Sequence, residues 1–269
     1  PIVTSRYQFK EDGADYLGER RRHLYLLEIA SGELLQLTSG AHEELLPAWS
    51  PDGKHITYVS KRGTDPDRHL NFDLYLIEPK AGAQERPLTT FPGSDLDPTW
   101  ETRPAWSPDS TRIAYLRSGE DQWIYYAPWQ LAVVDVTSGK ETLPADINRC
   151  FTRPHCSPDG QSVYALIEQS LVTHLSRIDL TAGQVTAVPH VDRFDYDLDV
   201  SAAGRIVVLG GDDRQPYDIS AVDKTALHPL GKHNEWLASK RLAPVEKIRF
   251  SNDAGLTLEG LLVKPMDYE

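Results

Sequence analysis

The sequence predicts an all-β fold, a β-propeller of about five four-stranded blades, and three observations carry this. A short motif recurs as Ala48-Trp49-Ser50-Pro51-Asp52-Gly53, Ala105-Trp106-Ser107-Pro108-Asp109-Ser110 and His155-Cys156-Ser157-Pro158-Asp159-Gly160, with a degraded copy at Asp199–Gly204. The anchor positions Trp49, Trp106, Cys156 and Val200 stand 57, 50 and 44 residues apart. A propeller blade repeats every roughly 40–50 residues. Between the motif copies lie further pairs of strand-like runs with glycine turns, and no stretch shows convincing helical periodicity.

Each element follows in order. His23–Ile29 turns through Ser31-Gly32 into Glu33–Leu37. The first full motif then reverses the chain into His55–Ser60. Proline suits the first corner of a type I turn, aspartate the second, and glycine the left-handed position after it. Phe72–Glu78 turns through Ala81-Gly82 into Glu85–Leu88. The second motif leads into Arg112–Arg117, and Gln130–Val136 turns through Ser138-Gly139 into Lys140–Leu143. The third leads into Ser162–Ile167, and His174–Leu180 turns through Ala182-Gly183 into Gln184–Val188. The degraded copy leads into Arg205–Gly210, followed by a weaker pair, Asp218–Val222 and Ala226–Pro229. His233–Arg241 reads as a short turn. Val245–Ser251 and Leu256–Lys264 form a last hairpin outside the repeat. The predicted division is therefore a propeller over 1–244 and a separate hairpin segment over 245–269.

Composition narrows the function. Forty acidic side chains against 28 basic ones leave a formal charge of −12. Binding to nucleic acid needs a basic face to meet the phosphates, so it is excluded, as is an anionic membrane surface. No run approaches the roughly 18 apolar residues of a membrane-spanning helix, and no signal peptide opens the chain. Cys150 and Cys156 fall in or beside one strand, roughly 20 Å apart if extended, too far for a disulfide. Two free thiols and a reducing, cytoplasmic compartment are expected. The first residue is Pro1 and the only methionine is Met266, which predicts a processed or excised piece of a longer protein.

The run Glu246–Pro265 resembles the junction at which prolyl oligopeptidase family serine peptidases pass from propeller to α/β-hydrolase domain. Asn234-Glu235-Trp236-Leu237 and Leu242-Ala243-Pro244 resemble the approach to it. Arg6-Tyr7, Asp12-Gly13, Tyr16-Leu17 and Arg22-His23-Leu24 are similar to the acylaminoacyl-peptidase branch. The resemblance covers essentially the whole chain. It implies that about two blades precede this stretch and that nucleophile, acid and base all lie beyond residue 269. The partners it implies are a peptide substrate and that absent hydrolase domain. The residues agree, because there is no G-x-S-x-G, G-x-G-x-x-G, P-loop or H-E-x-x-H motif. No catalytic residue, cofactor or metal is assigned, and the chain alone is expected to be inactive.

Candidate contacts remain. Ser50, Asp52 and His55 could be read as a nucleophilic set. The Ser and Asp recur in every copy without the His, which points to turn chemistry. Asp195, Asp197 and Asp199 alternate and so would share one strand face. Three carboxylates suit a hard cation; an inner strand with a polar face on a solvated channel is the preferred alternative. Glu43, Glu44, Glu101, Arg103 and Arg153 hold the same blade position, giving a mixed-charge pore. In relatives that remove dipeptides a glutamate pair in the propeller holds the substrate amino terminus, and Glu43-Glu44 superficially resembles that pair. Trp123, Tyr125 and Tyr126 belong to the densest aromatic cluster. Packing between blades is the preferred reading, and contact with a peptide or another domain is the alternative. Arg20-Arg21-Arg22 reads as a solvated or salt-bridged surface.

Two functions follow. The chain is either the non-catalytic propeller of an acylaminoacyl-peptidase-like exopeptidase, gating access by size and contributing peptide contacts, or a free-standing propeller that binds a protein or peptide. A partial propeller either closes with fewer blades or stays open, so a five-bladed arc or ring is expected, with self-association into a homo-oligomer where apolar blade faces stay open.

Overall fold

A computed structural model describes residues 3–13, 15–100, 102–123, 125–188, 193–223 and 226–268. The described residues contain β-strands and short 3₁₀ turns but no α-helix. The chain divides into two compact units, Pro1–Asn148 and Arg149–Glu269.

The first unit holds two complete sheets and two small hairpins. A four-stranded antiparallel meander runs through Leu45–Trp49, Ile56–Ser60, Asp73–Ile77 and Arg86–Pro87. The next runs through Ala105–Trp106, Arg112–Glu120, Gln130–Asp135 and Glu141–Thr142, with Gly93–Asp95 also paired to Arg112–Glu120. The central strands of both are buried β-branched and aromatic runs, such as Ile56–Ser60 and Ile113–Leu116, as suits strands covered on both faces. The hairpin of Tyr25–Leu27 and Leu34–Gln36 packs Leu24, Leu26, Leu35 and Leu37 against Ile56, Tyr58, Tyr75 and Ile77. It sits where the outer strand pair of a preceding blade would. A short hairpin, Lys10–Glu11 with Asp15–Tyr16, precedes it, which the sequence reading did not anticipate.

The second unit repeats the pattern twice. One meander is Phe151–Cys156, Ser162–Gln169, Val172–Asp179 and Val185–Ala187. The other is Phe194–Val200, Ile206–Gly211, Asp218–Val222 and Leu227–Pro229. One parallel bridge, Thr173 to Phe194, joins them into a continuous eight-stranded sheet. Leu166, Leu175, Leu198, Ile206 and Val208 form the core between them. Four complete blades and one outer hairpin thus stand where about five blades were expected, and the sheets of the described residues do not close on themselves. The last hairpin, Val245–Ser251 with Thr257–Val263, is a separate two-stranded sheet.

The motif turns are built by their side chains. Ser50 Oγ accepts from the His55 backbone N–H at 2.9 Å and donates to Asp52 Oδ1 at 2.7 Å. Asp52 Oδ1 also accepts from the Lys54 N–H at 3.1 Å. The same set recurs as Ser107, Asp109, Thr111 and Arg112, and as Ser157, Asp159, Gln161 and Ser162. These bonds hold the carboxyls of Asp52, Asp109 and Asp159 below the usual range, the serine hydroxyl first and the backbone N–H next. Gly53 and Gly160 take the left-handed position with φ +71° and +66°, where a Cβ would be strained.

Candidate functional site

The candidate contacts among the described residues fall on or just before the first strand of a blade and on one loop. In the first unit, Glu44 lies just before Leu45–Trp49. Its backbone N–H donates to the Arg22 carbonyl at 3.0 Å. Its side chain is fully enclosed: Oε2 accepts from Thr38 Oγ1 at 2.6 Å and meets His23 Nδ1 at 2.9 Å, while Oε1 accepts from Arg62 at 3.1 Å. All of its acceptor capacity is turned inward. Glu43 is half-buried beside it and Arg103 is exposed. Glu101 lies outside the described residues.

The loop after Arg112–Glu120 carries the aromatic cluster. A 3₁₀ turn at Asp121–Trp123 is followed by a tight turn in which the Tyr126 and Ala127 N–H groups both donate to the Trp123 carbonyl. Trp123, Tyr125 and Tyr126 are 55%, 81% and 82% exposed. The expectation that they pack between blades is therefore corrected. The tight turn projects the rings outward instead of folding them onto the sheet.

In the second unit, Asp195, Asp197 and Asp199 do not share a face. The register of Phe194–Val200 shifts between Asp195, opposite Gly210, and Asp197, opposite Leu209. This bulge inserts one residue, so the alternation slips. Asp195 turns inward against Arg193 Nε at 2.9 Å. Asp197 and Asp199 face outward, where Asp197 lies 3.5 Å from Arg153 Nε and Asp199 lies 3.9 Å from His155 Nε2. No group of three or more His, Cys, Asp or Glu among the described residues is arranged to hold a metal ion. Arg153 sits at a matching bulge in Phe151–Cys156. The bulges also reveal a pair that sequence reasoning missed: Tyr196 stacks on Tyr217 with ring centroids 5.3 Å apart. No local signal joins a tyrosine inside one strand to a tyrosine just before another.

Ser50, Asp52 and His55 are turn groups, since His55 meets Ser50 through its backbone N–H and not its ring. Cys150 and Cys156 are both half-buried, and neither is in a disulfide. No helix of the described residues is long and apolar enough to cross a membrane, which leaves strands unaddressed.

These features define a nearly all-β, propeller-type chain whose candidate polar groups lie on or just before the first strands of its blades. No family model matches the chain. In sequence it is 28% identical over 147 residues to dipeptidyl-peptidase 5 of Porphyromonas gingivalis, covering 52% of this chain and 20% of that protein. In fold it is similar to an acylaminoacyl peptidase solved with Z-Gly-Gly-Phe-chloromethyl ketone, with TM-score 0.75 and 17% identity over 98% of this chain and 39% of that one. It is also similar to TolB from Acinetobacter baumannii, with TM-score 0.59 and 16% identity over 90% of this chain and 57% of that one. The chain thus matches only about a fifth of the length of its curated peptidase relative. It resembles the propeller portion of prolyl oligopeptidase family peptidases.

Proposed function

We propose that this chain is the propeller portion of an acylaminoacyl-peptidase-like serine exopeptidase of the cytoplasm. It would gate access to a hydrolase domain supplied by the parent chain, admitting short peptides and excluding folded ones. Glu43, Arg103 and Arg153 would offer polar contacts to the peptide, and Trp123, Tyr125 and Tyr126 apolar ones. Glu44 and Asp195, both buried in internal pairs, would act by positioning their neighbours. No cofactor is required, since acyl transfer would use the parent's serine. Self-association of open blade faces would accompany an isolated chain.

The observation that carries this reading is the hairpin of Val245–Ser251 and Thr257–Val263. It belongs to no blade, and it leaves Phe250, Leu258, Leu261, Leu262 and Val263 between 37% and 58% exposed. A two-stranded hairpin is marginal alone in water, so it calls for a further sheet to cover it. The peptidase relatives and the acylaminoacyl-peptidase likeness agree with this reading. A second reading, a propeller that binds a protein or peptide without chemistry, draws on the likeness to TolB.

The test is to read the parent gene beyond both ends of the chain and to assay its product and the isolated chain. A downstream frame of roughly 250 residues with G-x-S-x-G, and an acetyl-amino-acid anilide cleaved by the full product only, support the peptidase reading. A stop codon close after Glu269 favours the binding module. Turnover by the isolated chain, blocked by a serine-directed inhibitor, overturns the non-catalytic assignment.

A further inference from the structure

In the first unit, one exposed run of chain is seated on a loop by a charged fork. Of the described residues between 3 and 16, Arg6 alone is not exposed. Its guanidinium donates to Asp67 on the loop 61–72, Nε to Oδ2 at 3.0 Å and Nη2 to Oδ1 at 2.8 Å. The two side chains are only 11% and 14% exposed. Paired bonds of this kind match the planar fork to the carboxylate in direction as well as in charge. The Gln8 backbone N–H also donates to Asp67. Between these two contacts, the Tyr7 ring centroid lies 4.2 Å from the Arg68 guanidinium, a cation–π pair. Three successive residues thus meet two successive residues of the loop, which a 3₁₀ turn at Pro66–Arg68 presents.

The receiving side is charged to suit an arginine. The Arg6 guanidinium is favoured first by its bonds to Asp67 and then, against the cost of burial, by the charges of Asp67, Glu43 and Glu11. Arg68 is offset by Asp65 at 2.7 Å. Lys61 donates to the His69 carbonyl at 3.2 Å and senses the charges of Asp67, Glu43 and Asp97. Without Arg6, those three carboxylates outnumber the one ammonium among them. In an antiparallel meander the first strand begins at the end where the second finishes. Loop 61–72 therefore shares its end of the sheet with Glu43, the proposed peptide contact. A run with so few buried contacts opens at low local cost.

We propose that Asp67 and Arg68 form a binding site for an arginine followed by an aromatic residue, filled here by the chain's own Arg6-Tyr7, and that the same pair in a bound peptide takes this seat when the run lifts away. Arginine is preferred over lysine because an ammonium cannot bond the carboxylate as a fork. Tethering gives Arg6-Tyr7 an effective concentration of roughly millimolar, so a free peptide competes poorly until the run is displaced. This rests on the peptide-engaging reading above and names the side chains that one contact would take.

The experiment uses the 269-residue chain, labelled with ¹⁵N, unsubstituted and with Arg6→Ala plus Tyr7→Ala. Both are titrated with the capped peptides Ac-Arg-Tyr-Gln-NH₂, Ac-Lys-Tyr-Gln-NH₂ and Ac-Glu-Tyr-Gln-NH₂. The double variant is expected to shift the amides of Asp67 and Arg68. The Arg peptide then binds it saturably and returns those amides toward their unsubstituted positions. The unsubstituted chain binds the same peptide at least tenfold more weakly. On the double variant the Lys peptide binds at least threefold and the Glu peptide at least tenfold more weakly than Arg. Asp67→Asn added to the double variant lowers Arg-peptide affinity at least tenfold. Should the double variant fail to fold, Arg6→Lys keeps the charge, loses the fork and binds the Arg peptide at least threefold tighter than the unsubstituted chain. No saturable binding to the freed site, equal binding by the unsubstituted chain, equal binding of Glu, shifts centred elsewhere, or indifference to Asp67→Asn each overturns the proposal. Peptidase gating is read by anilide turnover in the full-length parent, so either idea can fail without the other.

Discussion

The buried hydroxyl of Tyr115 donates to the carboxylate of Glu141, 26 residues away on the outer strand of the same sheet, and Glu141 also accepts from Arg117. The preceding sheet repeats the arrangement. Tyr58 donates to Glu85, which accepts from Arg62 as well. Both tyrosines are fully buried. Burial and the facing carboxylate push their hydroxyls far above the usual range, burial being the larger cause. Each triad ties the second strand of a blade, by its tyrosine, to the fourth strand or the residue leading into it.

Removing the two ends of this triad has unequal cost. Tyr115→Phe deletes a donor and leaves Glu141 with Arg117, an expected loss of about 1 kcal/mol. Glu141→Ala leaves a buried phenol without an acceptor and Arg117 without its partner, an expected loss of roughly 2–4 kcal/mol. Urea denaturation of both variants checks the order. Equal losses would show that Glu141 acts through packing alone.

Asp73 gives a pH signature. Desolvation raises its carboxyl to about 6, above an unfolded value of about 3.9. The folded chain therefore holds a proton that the unfolded chain releases between about pH 4 and 6. Stability from this group is present below that window and is lost as pH rises through it. Asp73→Asn is expected to match the parent near pH 3 and to exceed it at pH 8 by ~1 kcal/mol, after allowance for partial solvent screening. Thermal denaturation of both proteins across pH 3–8 reads the difference. A gap that narrows toward high pH would contradict the assignment. Buried Asp95, also raised well above its usual value, first by desolvation, pulls in the same direction, so the double variant widens the gap.

Ser110 occupies the glycine position of its turn with φ +60°. Its Oγ accepts from the Asp52 N–H of the neighbouring motif at 3.1 Å. Ser110→Ala keeps the strain and loses the bond, for an expected loss of about 1 kcal/mol. Ser110→Gly relieves the strain while losing the bond, and lands within about 0.5 kcal/mol of the parent. Chemical denaturation distinguishes them, and an alanine variant as stable as the glycine one would mean the bond contributes nothing.

Ser50→Ala separates turn chemistry from nucleophilic chemistry. The hydroxyl bridges the Asp52 carboxylate and the His55 N–H and is buried. Stability is expected to fall by roughly 1–2 kcal/mol, with anilide hydrolysis by the parent protein unchanged once folded enzyme is counted. Loss of hydrolysis at full stability would reinstate Ser50 as a nucleophile.

The turns were legible because their chemistry is local. Ser, Pro, Asp and Gly within five positions specify both the backbone angles and the side-chain bonds that hold them, and the spacing of the motif copies places each blade. The hairpin after the last blade was readable from the same alternation and turn residues. The candidate site was readable only in part. Its residues could be named from their place beside each motif, but not their direction. Asp195, Asp197 and Asp199 alternate in the chain, yet one inserted residue at Tyr196 sends the first inward and the others out. Glu44 reads as an open carboxylate and is enclosed by Thr38, His23 and Arg62. Trp123, Tyr125 and Tyr126 read as packing residues and stand in solvent.

Local order is thus a property of the sequence, because turn and strand preferences act over a few bonds. Exposure, ion pairing and the Tyr196–Tyr217 stack belong to the tertiary structure. They depend on bulges and on strands brought together from distant parts of the chain, and a shift of one residue reverses which face a side chain meets.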